Sequence, residues 1–193
     1  HQFPRRSRFP YAAAKFEAEQ WLIKSSRDSG IKLSVVYPGE VYGAGDFQMI
    51  TAGTIQSMTD ARVCLVSSGG THVADLEEVT QALWAGVEGE AATRALIAGE
   101  FLEFREIAKI ARNYSGKRGP IITLPNWIVN AAIQLREKLG IDLVGHPDAA
   151  ARYGQVYWQN GERGLFSHEK ISMQSGRQGI EKVAEWLMRN TFH

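Results

Sequence analysis

Two stretches decide the fold: Pro10-Tyr11-Ala12-Ala13-Ala14-Lys15 and Leu33-Ser34-Val35-Val36-Tyr37-Pro38-Gly39-Glu40-Val41-Tyr42-Gly43. The first opens a helix predicted from Ala12 to Ser25. Ala14, Ala18, Trp21 and Leu22 fall at i, i+4, i+7 and i+8, the period of a buried apolar stripe, and Gly30 stands beyond the end as a stop. The second begins as a short β-branched run, Leu33 to Tyr37, with little polar alternation. That is the habit of a parallel strand covered on both faces, and Pro38-Gly39 ends it. Ligands of open α/β sheets bind beyond the carboxyl ends of the strands, where the loop after Pro38 lies.

Working outward, the same alternation continues. Helical periods run from Glu77 to Val87 (Val79, Ala82, Leu83, Gly86, Val87) and from Glu103 to Tyr114 (Phe104, Ile107, Ala108, Ala111). A further helix starts at Asn126, its expected N-cap, carries Ile128, Ala131, Ala132, Leu135 and Leu139, and closes at Gly140. Ile180, Val183, Ala184 and Leu187 repeat the pattern near the end. Short β-like runs fall at Arg62–Val66, Ala95–Ala98 and Ile121–Leu124. Alternation of this kind argues α/β.

The 193 residues are 44% hydrophobic and 22% charged with a formal net charge of +1, ordinary values for one globular domain or two small ones. No run approaches the roughly 18 apolar residues of a membrane-spanning helix. The near-zero charge offers nucleic acid no electrostatic footprint, and the basic cluster Arg5-Arg6-Ser7-Arg8 is short and reads as a solvated loop. A lone Cys64 excludes an internal disulfide and suits a reducing, cytoplasmic compartment. His72, His146 and His168 have no metal-ligand spacing with Cys64, so no metal site is expected. The five Trp residues (21, 84, 127, 158, 186) are scattered and are expected in core or lobe packing.

Tyr11 and Lys15 stand at i, i+4 on one helix face. A free phenol titrates near 10, and an ammonium within about 4–6 Å lowers that value toward the working range. Such a phenol can hand a proton to a carbonyl oxygen or take one from a hydroxyl. With Glu17-Ala18-Glu19 and the run from Val35 through Gly43-Ala44-Gly45-Asp46, these residues resemble the second half of an extended short-chain dehydrogenase/reductase, in the NAD-dependent epimerase/dehydratase family. Gly69-Gly70-Thr71 leading into Val73-Ala74-Asp75-Leu76-Glu77-Glu78-Val79, then Ala98-Gly99-Glu100, Phe104-Arg105-Glu106-Ile107 and Leu124-Pro125, follow in the family's order. The flavour is closest to its dihydroflavonol-reductase-like branch. The resemblance is strong to about Pro125 and looser beyond.

That resemblance implies the later part of a Rossmann-type doubly wound parallel sheet with a smaller helical lobe. Residues 1–119 would hold the second half of the dinucleotide-binding domain with inserted lobe elements, and residues 120–193 the substrate-binding lobe. Tyr11 would be the catalytic acid/base and Lys15 its partner and ribose clamp, both touching NAD or NADP. Pro38, Gly39 and Val41 would line the nicotinamide carboxamide. The substrate would be a small molecule with a carbonyl or secondary alcohol, nucleotide-sugar or flavonoid/steroid-like, and the protein a homodimer. Asp75 reads as a helix cap, and Glu77 and Glu78 as first-turn acids favoured by the helix dipole. Arg136, Arg152, Arg163 and Arg177 read as surface residues in preference to holders of an acidic group.

The family's phosphate-binding glycine turn is absent: Gly39, Gly43 and Gly45 fit no such spacing. Its catalytic Ser or Thr precedes the Tyr by more chain than is present, and Ser7 is too close to Tyr11 to serve. The expectation is therefore an enzyme fragment that binds NAD(P)H weakly and is inactive alone. The rival expectation is a non-catalytic reductase-like binding or sensor module, against which the retained Tyr11 and Lys15 argue.

Overall fold

The structure, a computed structural model, describes residues 10–89, 94–97, 99–138 and 176–190. β1 (Val35–Pro38) pairs in parallel with β5 (Arg94–Ile97), Val36 opposite Ala95 and Tyr37 opposite Leu96. At Gly39 the chain leaves this ladder. Gly39 N–H still reaches the Ile97 carbonyl at 2.8 Å, but the next three residues, β2 (Glu40–Tyr42), run parallel to β4 (Gly70–Asp75) in a second sheet. β6 (Glu100–Glu103) pairs antiparallel on the other side of β4. A third pair, β3 (Cys64–Ser67) and β7 (Ile121–Leu124), is parallel.

Parallel neighbours need long crossovers, and helices supply them. α1 (Pro10–Ser29) precedes β1, α2 (Ala52–Asp60) joins β2 to β3, α3 (Leu76–Glu88) lies between β4 and β5, and α4 (Phe104–Tyr114) between β6 and β7. α5 (Asn126–Lys138) follows β7, and α6 (Gly176–Arg189) lies near the chain's end. The predicted helices and strands are found within a few residues of their expected bounds. α2, β2, β4 and β6 are the additions to the elements read from periodicity; at 9, 3 and 4 residues α2, β2 and β6 are too short to show a period.

The main core lies on the β2-β4-β6 sheet, where Tyr42, Val73 and Leu102 meet Ile55 of α2, Ile107 of α4, and Ile180 and Val183 of α6. α6 comes down onto strand backbone: a Cβ on Gly176 would stand 2.6 Å from the Val73 carbonyl oxygen, and one on Gly179 3.0 Å from that of Tyr42. A smaller core of Ala74, Val79, Ala82, Ala95 and Ile97, with Val36 and Val41 packed against it, fixes α3 over β1 and β5. The buried Arg112 guanidinium serves as a polar staple, donating to the carbonyls of Met58, Ala61 and Arg118 at 2.9, 2.9 and 3.1 Å. Before α2, Asp46 accepts the Thr51 and Ala52 N–H groups at 2.8 and 2.9 Å. Burial alone would raise its pKa, but these donors hold the carboxyl below the usual range.

Four expectations about burial are corrected. The α1 stripe faces water: Trp21 is 67% exposed and Leu22 44%, with Ala14 and Ala18 also exposed. In α3, Val79 and Ala82 are buried while Leu83 and Val87 are exposed. In α5, Ala131, Ala132 and Leu135 are exposed. Trp84 and Trp127 are exposed as well; Trp186 does pack on the core and meets the Phe47 ring edge-on. The shared reason is that an apolar period marks a face, and among the described residues nothing covers these faces. Trp158, Leu139 and Gly140 lie outside the described residues.

Candidate active site

α1 begins at Pro10, whose ring suits a first helical position because the N–H it lacks would have no intrahelical partner there. Tyr11 and Lys15 therefore occupy the first two turns, one turn apart along one face. The Tyr11 side chain lies outside the described ones, and Lys15 is exposed. One turn further on, Glu19 accepts a hydrogen bond from the Tyr37 hydroxyl of β1 at 2.5 Å. Arg94, at the start of β5, stands 3.7 Å from the same carboxylate oxygen. Burial first, then the hydrogen bond and charge of Glu19, push the Tyr37 phenol up to about 12, with Arg94 opposing. A proton carrier needs a pKa near the working pH, so Tyr37 is held as a donor and acts as a tether.

Tyr37 leads directly into the predicted loop. Pro38 is exposed and has no N–H; the Gly39 N–H is taken by Ile97; and the partly buried Val41 side chain packs on the smaller core. Any N–H the loop turns toward a ligand therefore lies beyond Gly39. The structure brings Pro38, Gly39 and Val41 together where the chain passes from one sheet to the next, at the carboxyl end of β1. Ligands of open α/β sheets bind beyond the carboxyl ends of the strands, the end at which this loop leaves β1.

Asp75 is the cap the sequence suggested: it is fully buried at the head of α3 and accepts the Glu77 N–H at 2.8 Å. Lys182 of α6 closes the group, 3.2 Å from Asp75 Oδ2 and 3.0 Å from Glu77 Oε1. Burial alone would lower the Lys182 pKa; the hydrogen bonds to Glu77 and Asp75 outweigh it and raise the pKa. Arg177 pairs with Glu100 and Glu106 at 3.1 and 3.4 Å, joining α6 to β6 and α4. An open cleft lined by Glu77, Tyr114, Gln178, Glu181, Lys182 and Glu185 includes none of the predicted site residues. His72 is half-buried with its ring edge toward Phe101, and Cys64 is buried. No group that could hold a metal occurs among the described residues, nor does any described helix have the length and apolarity to cross a membrane. Arg5, Arg6, Ser7, Arg8, His146, Arg152, Arg163 and His168, and the Arg136 side chain, lie outside what is described.

Sequence reasoning missed Glu19 and Tyr37. Glu19 is one turn beyond Lys15 and Tyr37 immediately precedes Pro38, but nothing local marks either residue until the fold joins them.

Residues 1–88 match the family model described as the NAD dependent epimerase/dehydratase family. Among curated proteins none matches the sequence. Among solved structures, a nucleoside-diphosphate-sugar epimerase from Pseudomonas aeruginosa superposes with a TM-score of 0.66 at 18% identity, over 99% of this chain and 59% of its own. The UDP-glucose 4-epimerase of Thermus thermophilus, in complex with NAD, gives 0.57 at 16% identity, over 98% and 57%. RMD from Pseudomonas aeruginosa, complexed with NADPH, gives 0.51 at 19% identity, over 61% and 45%. The chain thus spans little more than half the length of the epimerases it resembles. These likenesses show a Rossmann-type α/β fold, and over residues 1–88, somewhat less than half of its length, the chain is similar to the NAD dependent epimerase/dehydratase family.

Proposed function

We propose that this chain is the proton-transfer and nicotinamide-facing part of an NAD(P)-dependent oxidoreductase or epimerase of the extended short-chain dehydrogenase/reductase type. The observation that carries the reading is the connection between helix and loop: the α1 face bearing Tyr11 and Lys15 continues to Glu19, which is bonded to the residue before Pro38-Gly39. Tyr11 gives a proton to a substrate carbonyl oxygen, or takes one from a secondary alcohol. The Lys15 ammonium lowers the phenol's pKa and donates to ribose hydroxyls. Pro38, Gly39 and Val41 hold the carboxamide end. Lys15 and the loop N–H groups beyond Gly39 are the donors this reading assigns to that end of NAD or NADP, and the bound cofactor would supply or accept the hydride. The pyrophosphate end calls for a glycine turn at a helix N-terminus, a motif this sequence lacks, so we expect the 193-residue chain alone to bind either dinucleotide weakly and to be inactive.

In the same reading residues 1–119 carry the dinucleotide-binding half and residues 120–193 the substrate lobe. Nucleotide sugars are the substrates favoured by the epimerases of like fold, and the dihydroflavonol-reductase-like branch rests on the sequence motifs alone. The test is Tyr11→Phe in the whole protein, followed by the absorbance of NADH and NADPH with carbonyl and nucleotide-sugar substrates. Turnover falls by at least about 100-fold, the order expected for losing an acid/base group, while calorimetry shows cofactor affinity little changed. Retained turnover would reject the assignment.

A further inference from the structure

Across the described side chains of α1, residues 13–29, none is buried. The expected stripe does not set its rotation, since Ala14, Ala18, Trp21 and Leu22 face water while Ala13, Phe16, Glu19 and Ile23 form the partly buried face. Glu19 is different. Its side chain is 18% exposed, it takes the Tyr37 hydroxyl at 2.5 Å, and it lies on the slowly turning line of Tyr11 and Lys15 at successive i+4 steps. Tyr37 is in turn held in register opposite Leu96 and is followed by Pro38 and Gly39.

From this geometry we infer that Glu19 is a positioning residue: through the Tyr37 hydroxyl it ties the Tyr11–Lys15 face of α1 to the strand that becomes the Pro38–Val41 loop, so that helix and loop keep one fixed separation. The inference rests on the proton-transfer role given to Tyr11 and Lys15. The elevated Tyr37 pKa supports it, because the phenol stays a donor throughout the neutral range. Arg94, more than half exposed and 3.7 Å away, steadies the carboxylate from β5; an exposed pair of that length adds little on its own.

The experiment combines a distance with turnover in the whole protein. Spin labels on cysteines placed at the exposed Ala14 and Ala44, in a Cys64→Ala background, report the separation of helix and loop. The parent and Glu19→Gln, which keeps an acceptor oxygen at similar reach, give one narrow distance distribution. Glu19→Ala and Tyr37→Phe broaden it, and combining them adds nothing further. Turnover follows: Glu19→Ala and Tyr37→Phe lower kcat about 10- to 100-fold with cofactor KM changed less than about threefold, the pattern of a misplaced reacting group, and Glu19→Gln recovers most of the loss. A distribution that stays narrow in both Glu19→Ala and Tyr37→Phe overturns the inference, whatever the turnover. So does a Glu19→Gln as broad as Glu19→Ala, since the carboxylate's charge and not its acceptor geometry would then matter. Broadening beside full turnover in Tyr11→Phe would leave the tether standing and overturn the proton-transfer reading beneath it.

Discussion

α4 and α1 carry the same apolar period and meet opposite fates. In α4, Ile107, Ala108 and Ala111 are completely buried, and Glu106 caps the helix by accepting the Glu103 N–H. In α1 the expected stripe is in water, and a polar bond from Glu19 to Tyr37 links the helix to the sheet. Periodicity says that a helix has an apolar face; it does not say that a partner stands opposite. α4 meets α2, α6 and the three-stranded sheet, which approach from different parts of the sequence, whereas the described chain brings nothing to the Trp21 face. An apolar anchor is broad and insensitive to pH. A polar tether is narrow, directional and aimed at the site.

The comparison breaks most sharply on Ile107. Truncation to Ala leaves a cavity among Leu102, Ile180 and their neighbours, and a site so completely buried loses about 2–5 kcal/mol. Denaturant unfolding followed by circular dichroism reads the loss. A change below about 1 kcal/mol would mean that α4 is no better anchored than α1.

Much of this was legible beforehand, and the reasons it stopped are physical. The long helices and the parallel strands carry their own period, so Val79 and Ala82, or Ile107, Ala108 and Ala111, name their buried faces. β2 is three residues long and gives no alternation to read; its place depends on β4, some thirty residues on. The Tyr11–Lys15 pair and the Pro38-Gly39 turn stood out because chemistry and backbone restriction leave marks on single residues. Glu19 and Tyr37 left none, since a carboxylate on a helix and an aromatic in a strand are ordinary until a tertiary contact joins them. The same holds for Lys182: 107 residues separate it from Asp75, and nothing local announces the pair.

That pair gives the next test, of a polar link inside the anchored part of the molecule. The folded pKa of Lys182 is raised, so its contribution is complete below the ordinary lysine value of about 10.4 and is lost as pH climbs through the higher folded value. Lys182→Met leaves the buried Asp75 carboxylate with its Glu77 N–H donor but without the ammonium, at a cost of about 1–2 kcal/mol near neutral pH. Measured from pH 7 to 11, the difference between the parent and Lys182→Met shrinks toward the alkaline end. A difference that holds constant through pH 11 would show that the ammonium's charge is not what binds α6 to α3.

The smallest expected effect is the one that best isolates α1. Trp21→Ser with Leu22→Ser removes two large apolar side chains from a helix face, a change that in α4 would unfold the protein. Here Trp21 stands largely in water and Leu22 nearly half so, so folding transfers only part of their surface and little stability depends on them. Helix propensity shifts slightly against Ser relative to Leu, which sets the expected loss at about 0.5 kcal/mol or less. The apolar surface offered to solvent falls nonetheless, and with it the fluorescence of an anilinonaphthalene sulfonate probe, because exposed apolar patches are what such probes bind. Stability nearly unchanged beside weaker probe binding keeps α1 a polar-tethered helix. A loss of 2 kcal/mol or more, the cost about which core truncation begins, would mean that the Trp21 face is covered in the folded protein and that α1 and α4 are anchored alike.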